Sequence, residues 1–219
     1  MINDNREKVL TVLSLGAGVQ SSTMALMSAT GVLPKVDCAI FADTGYEPKG
    51  IYLYLNYLKS ILPYPVYLVS KGNIKKDMLA AKDTTNFVVA PFYNQHTITG
   101  KKGMIQRQCT ADYKIIPIKK KIRELCGVDY GKHFPKDKYA EQWIGISKDE
   151  IRRMKPARDP YILNRHPLIE MNMNRQDCLN WMKKNNYQMP VKSACICCPY
   201  RDDKTWDDMK NNNPKEFAD

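Results

Sequence analysis

Four of the seven cysteines in this 219-residue chain have the spacing and neighbours that sulfur or metal chemistry uses. Cys195, Cys197 and Cys198 lie in the run CICCP, a C-x-x-C pair with a third thiol between, and Cys109 opens a basic stretch far upstream. Thiolates at this spacing suit zinc or an iron-sulfur cluster, because both accept tetrahedral sulfur sets and basic surroundings favour deprotonation. An odd cysteine count with three thiols packed together fits a reducing compartment better than a disulfide framework. Cys38 in an apolar run, Cys178 on an amphipathic stretch and Cys126 past a helix end read as packing residues. His96, His133 and His166 are isolated and carry no assigned chemistry.

The stretch SLGAGVQSST, Ser14 to Thr23, is the other candidate site. Its small residues allow close backbone approach and its serine hydroxyls can donate hydrogen bonds. A glycine-rich turn running into a helix N-terminus offers backbone N–H groups to a phosphate, and Ser14, Gly16, Gly18, Ser21 and Ser22 fit that role. Two common motifs are excluded. The loop has no Gly-Lys-Ser/Thr ending, and Ser21 stands where G-x-G-x-x-G needs its third glycine.

The surrounding pattern supplies the elements that must position both sites. Val9 to Leu15 is a continuous apolar run of strand length, and Gln20 to Thr30 has helical spacing ended by Gly31 and Pro34. VDCAIFADTG predicts a second strand, Pro48 to Leu62 a second helix, PVYLVSKG a third strand and Ile74 to Lys82 a short helix. Phe87 to Tyr93 is extended, Ala111 to Leu125 helical and AEQWIGIS a strand. Strands alternating with helices predict an α/β fold, a parallel sheet with helices on both faces, in which ligands bind beyond the carboxyl ends of the strands. The expected division is a nucleotide-binding α/β domain over residues 1–165 and a small helical, cysteine-bearing segment over 166–219, packed on the same core.

Charge narrows the partners. Of a net charge of +11, the segment from Lys101 to Pro160 contributes most, with 16 Lys plus Arg against 8 Asp plus Glu. A basic face of that size favours phosphate-bearing partners, nucleotides and nucleic acids alike. No apolar stretch approaches the roughly 20 residues of a membrane span, and the acidic, polar start MINDNREKV lacks a signal-like core, so a cytoplasmic protein is expected.

Six segments in order resemble the adenine nucleotide alpha hydrolase (PP-loop) superfamily, in the branch that contains phosphoadenosine phosphosulfate reductase. SLGAGVQSST is similar to its pyrophosphatase loop, FADTGYEP to its Asp-Thr-Gly-x-x-x-Pro segment, and RQCTADYKIIPIKKKI to its Cys-Thr-x-x-x-Lys-x-x-Pro helix start. GISKDEIRRM, HPLIEMNMNRQDCLNWM and CICCPYR resemble its remaining segments, so the likeness spans Val9 to about Arg201. The resemblance implies that the loop from Ser14 to Ser22, Ala17 included, cradles nucleotide phosphates. It places Asp43 and Thr44 on the ribose and adenine side, the backbone of Gly145, Ile146 and Ser147 against the base, and Arg152 and Arg153 on phosphates. Gln20 departs from the usual aspartate of the loop, and an amide cannot ligate magnesium as a carboxylate does.

By the same resemblance, Cys109, Cys195 and Cys198 match the cluster ligands of sulfur-inserting relatives, with Cys197 a fourth candidate. Cys109, Cys197 and Asp43 are then the candidate catalytic residues. The implied enzyme uses ATP and Mg2+ to adenylate a substrate and passes sulfur to it, the acceptor being tRNA or DNA held on the basic face over 101–158. Two alternatives stand beside it. One is reduction of phosphoadenosine phosphosulfate or adenylyl sulfate, although the chain lacks the Glu-Cys-Gly-Ile-His tail that carries the reductases' nucleophile. The other is a non-catalytic nucleotide- or nucleic-acid-binding module whose cysteines hold structural zinc.

Overall fold

A computed structural model describes residues 5–80, 92–95, 99–104, 108–129 and 131–219. Its central sheet is built from β1 (Glu7–Ser14), β2 (Cys38–Asp43), β3 (Val66–Ser70), β6 (Lys138–Ile144) and β7 (Ile162–Arg165). These five strands are all parallel and lie in the order β3-β2-β1-β6-β7. A separate antiparallel hairpin joins β4 (Tyr93–Gln95) to β5 (Lys102–Met104). The parallel α/β architecture expected from alternating strands and helices is the one found. The extended segment expected over 87–93 lies mostly outside the described residues, as do His96, the last two residues of the helix expected to Lys82, and Arg107.

Side-chain alternation explains why the inner strands read as unbroken apolar runs. In β1, Leu13 faces one layer and Val12 the other; in β2, Ala39 and Phe41 face the first and Cys38 and Ile40 the second. A strand covered on both faces has no polar side to show in its sequence. The first layer holds α1 (Val19–Ala29) and α2 (Lys49–Ile61), through Met24, Met27, Ile51 and Leu55. Leu168 of α5 (Pro167–Glu170) and Cys178 and Met182 of α6 (Arg175–Lys184) join the same cluster, so residues on both sides of position 165 share one core. Truncating Leu13, fully buried there, costs about 2–5 kcal/mol by lost transfer energy and cavity formation.

The second layer is α4 (Ile116–Leu125), which buries Ile118 and Ile122 against Val12, Ile40 and Ala140. The expected helix from Ala111 carries a widened π-helical turn over Ala111–Ile115. Pro117 is the cause: it has no N–H to donate, and its ring would press on the Tyr113 carbonyl of a regular turn. The chain returns from β3 through α3 (Ile74–Ala80) and α4 to the far side of β1, so the direction of winding reverses between β1 and β6. Two strand ends diverge there, and in open sheets that crevice is where ligands bind.

Candidate active site

The loop after β1 is built to leave backbone groups facing outward at that crevice. Ala17 takes φ +51°, Gly18 is the extended N-cap of α1, and no side chain caps the helix. Ser21 Oγ accepts from the Gly16 N–H at 3.1 Å and donates to the Gly18 carbonyl at 3.3 Å, which closes the turn from within. Gly145, just past β6, fits so tightly that a Cβ there would lie 3.0 Å from the Ser21 nitrogen. The two strand ends are thereby locked at one distance.

A cavity of about 820 Å3 opens over this loop, lined by Ser14, Gly16, Gly18, Gln20, Ser21, Gly145 and Arg153 among the expected residues. Its remaining cations, Arg175, Lys192 and Lys204, come from segments to which the sequence patterns assign no role. Arg153 and Lys192 are tied up, the first by Glu150 and the second by Asp202 at 2.8 Å. Gln20 sits in a small network: its amide nitrogen donates to Glu150 Oε2 at 3.2 Å and to Ser147 Oγ at 3.4 Å, and its oxygen accepts from Arg175 Nη1 at 3.2 Å.

The cysteines collect beside the β2 end. Gly45, at φ +68°, turns the chain after Asp43, whose carboxylate accepts from the Gly45 N–H and the Tyr52 hydroxyl. The Ile196 N–H bonds the Tyr46 carbonyl at 3.0 Å, and this pins the CICC turn to that loop. Cys195 Sγ lies 3.3 Å from Thr44 Oγ1 and 3.6 Å from Glu47 Oε1, which also accepts from Lys114 Nζ at 3.2 Å. Cys197 and Cys109 pack together with Tyr46, Ile74, Tyr113 and Ile196, although 88 positions separate them in sequence. Buried Arg201 holds the turn from behind by donating to the carbonyls of Ala194 and Cys195.

Burial governs the thiols. It pushes Cys195 up to about 12, helped by the Glu47 carboxylate, and Cys197 up to about 11, helped by Cys198 and Cys109. Among the described residues no three His, Cys, Asp or Glu side chains are arranged to hold a metal ion, so the thiols as placed here share a neighbourhood without forming a cage. Cys38 and Cys178 are buried in the two core layers, with thiols raised to about 12 and 11 by desolvation.

The chain matches none of the protein-family models scanned and none of the curated proteins searched. Solved structures do match. The crystal structure of phosphoadenylyl-sulfate reductase from Candida auris, a phosphate complex, is 14% identical, with 82% of this chain and 74% of that chain covered at a TM-score of 0.53. The U34-tRNA thiolase NcsA from Methanococcus maripaludis with its 4Fe-4S cluster is also 14% identical, with 99% and 70% covered at a TM-score of 0.47. The chain has the adenine nucleotide alpha hydrolase fold.

Within that alpha hydrolase fold, several expected residues sit apart from the loop cavity. Ala17 and Ser22 are buried beneath the loop, and Ile146 and Ser147 are buried beyond Gly145. Thr44, 1% exposed, faces Cys195 and Glu47 rather than the loop cavity, because Gly45 folds the chain back toward the cysteine turn. Arg152 is exposed and does not line the cavity. Lys114 is the lysine of the Cys-Thr-x-x-x-Lys-x-x-Pro spacing, but no role was expected of it, nor of Glu47, Arg175 or Arg201, since each acts through a segment remote in sequence.

Proposed function

We propose that this chain is an ATP-dependent enzyme that activates a substrate oxygen as its adenylate and exchanges that oxygen for sulfur. The observation that carries the reading is one short connection. Ser193 donates its hydroxyl to the Gly16 carbonyl of the glycine loop, and two residues later Cys195 contacts Thr44. The glycine loop and the thiol turn are thus joined by one short segment, which supports reading them as parts of one site. In the first step an acceptor oxygen attacks the α-phosphorus and pyrophosphate leaves. In the second a sulfide-level nucleophile adds at the activated carbon and AMP departs with the oxygen. The loop amides after Gly16, whose own N–H is spent on Ser21, would hold the phosphates, and Cys109, Cys195 and Cys197 would meet the incoming sulfur.

If the cysteines take up zinc or an iron-sulfur cluster, Cys109, Cys195, Cys197 and Cys198 are the ligands this chain offers; no step above depends on it. The basic segment over 101–158 favours a nucleic-acid acceptor, tRNA or DNA. The test is a pyrophosphate assay with ATP, magnesium, sulfide and bulk tRNA or single-stranded DNA. Acceptor-dependent release of pyrophosphate with AMP and a thiolated product supports the reading. Sulfite release from phosphoadenosine phosphosulfate would replace it with reductase chemistry, and tight ATP binding with neither product would leave a binding module.

A further inference from the structure

We infer that Arg175, aimed by Gln20, is the phosphate-binding guanidinium of the loop cavity, and that it lets the site hold a nucleotide triphosphate without a divalent cation. The inference rests on the nucleotide reading above and deepens it. Its starting point is the amide at position 20. Gln20 Oε1 accepts from Arg175 Nη1, while its Nε2 donates to Glu150 Oε2. An amide can do both, whereas an ionised carboxylate can only accept. A carboxylate at this position would face Glu150 with like charge and would bind Arg175 as an ion pair. Gln20 therefore bridges the Glu150 carboxylate, itself paired with Arg153, to the Arg175 guanidinium.

The distribution of charge around the cavity makes Arg175 the cation that matters. Arg153 is paired with Glu150 and Lys192 with Asp202, whereas Arg175 and Lys204 form no side-chain ion pair among the described residues. Of these two, Arg175 is the one bonded to a loop residue. Its guanidinium makes a single hydrogen bond among the described residues, to Gln20, which leaves most of its five N–H donors for a ligand at the loop. Its backbone is fixed as the first residue of α6, where Asn174 and Asp177 form a reciprocal cap and Asp149 accepts from the Arg175 N–H at 3.1 Å. A planar fork held at both ends suits phosphate oxygens. The cation that a loop aspartate would recruit as magnesium is here a side chain.

Calorimetry of ATP binding, in EDTA and in magnesium, tests this with full-length protein. Wild type should bind in EDTA within about tenfold of its affinity in magnesium. Arg175→Ala should lose about 10- to 100-fold of the EDTA affinity, the loss expected for a charge-assisted contact. Gln20→Ala removes the clamp and no charge, and should weaken EDTA binding several-fold at an unchanged melting temperature. Gln20→Asp should abolish EDTA binding and recover it in magnesium. Unchanged EDTA affinity in both Arg175→Ala and Gln20→Ala overturns the inference while sparing the nucleotide reading. Absence of ATP binding by wild type under both conditions overturns both.

Discussion

Gly145→Ala is the substitution on which the site's geometry makes its sharpest commitment. A methyl there would stand 3.0 Å from the Ser21 nitrogen and 3.2 Å from its Cα. Optimal carbon contacts lie near 3.5–4.0 Å, so the end of β6 and the start of α1 must separate by about half an ångström. Neither can yield as a side chain would. Ser21 belongs to a helix anchored by fully buried Met24 and Ala25, and Gly145 follows Trp143, also fully buried. Overpacking of this kind costs about 1–3 kcal/mol, which lowers the melting temperature of a chain this size by roughly 2–12 °C. The same half ångström takes a loop amide–phosphate bond of about 2.9 Å past its useful range, and losing two such bonds weakens ATP binding by about five- to 100-fold. Gly16→Ala is the internal control, because its methyl would meet only Ser21 Oγ at 3.7 Å and Ser193 Oγ at 3.9 Å. Gly18→Ala is intermediate, since its 3.1 Å contact is to the Ser193 side chain of a surface connection that can lift. Thermal melts should rank the destabilisation Gly145 above Gly18 above Gly16, and calorimetry should show the affinity loss at Gly145. A wild-type melt and wild-type ATP affinity for Gly145→Ala would refute the locked-crevice argument, as would equal destabilisation at Gly16.

Three further outcomes follow from other parts of the molecule. Arg201→Ala should cost about 1.5–3 kcal/mol, because it strips charged donors from two carbonyls of the cysteine turn, and should speed alkylation of Cys197; an unchanged alkylation rate refutes its bracing role. His166 is buried, its Nε2 has no hydrogen-bond partner among the described residues, and desolvation holds its imidazole below the usual range. Its stabilisation is therefore present above about pH 6.5 and lost as pH falls through the lowered folded value. The stability difference between wild type and His166→Gln, from urea melts, should shift against wild type on moving from about pH 7 to about pH 5, and a pH-independent difference would contradict a histidine buried in its neutral form. If α4 meets single-stranded nucleic acid, replacing Lys120 should reduce the slope of log affinity against log salt by about 0.7, and an unaltered slope removes that residue from the interface.

How far the sequence could be read depended on whether an element carries its own signal. β1, β2 and the turns after them announce themselves, because strands buried on both faces are unbroken apolar runs and the loop needs small residues at fixed offsets. β7 left no such mark. It is four residues long at the sheet edge, and after Ile162 and Leu163 come Asn164 and Arg165. The π-helical turn was hidden for a different reason: Pro117 sits where an expected helix can continue only by widening, and periodicity counts do not register a change of pitch. The boundaries of α1 and α2 differed from expectation by a residue or so, as frayed ends do.

The site divides along the same line. Residues that line the loop cavity through their backbone were legible, since glycine and serine clustered at a strand-to-helix turn mark a place where the main chain can be approached closely. Of the cations that line the cavity only Arg153 was legible, because Arg175, Lys192 and Lys204 reach it from three separate segments. The connection from Val191 to Cys195 makes this concrete. A Cβ on Gly50 would stand 3.1 Å from Val191, and one on Gly18 would stand 3.1 Å from Ser193, so two glycines far apart in sequence leave room for the same strap. That strap bonds the Gly16 carbonyl through Ser193 and then delivers Cys195 to Thr44 and Glu47. Any shift of the glycine loop is therefore shared, through Ser193, with the thiol two residues further along. The proposed reaction, which begins at a phosphorus and ends at a sulfur, would use such a shared frame, and neither motif, read alone, reveals that the other is its support.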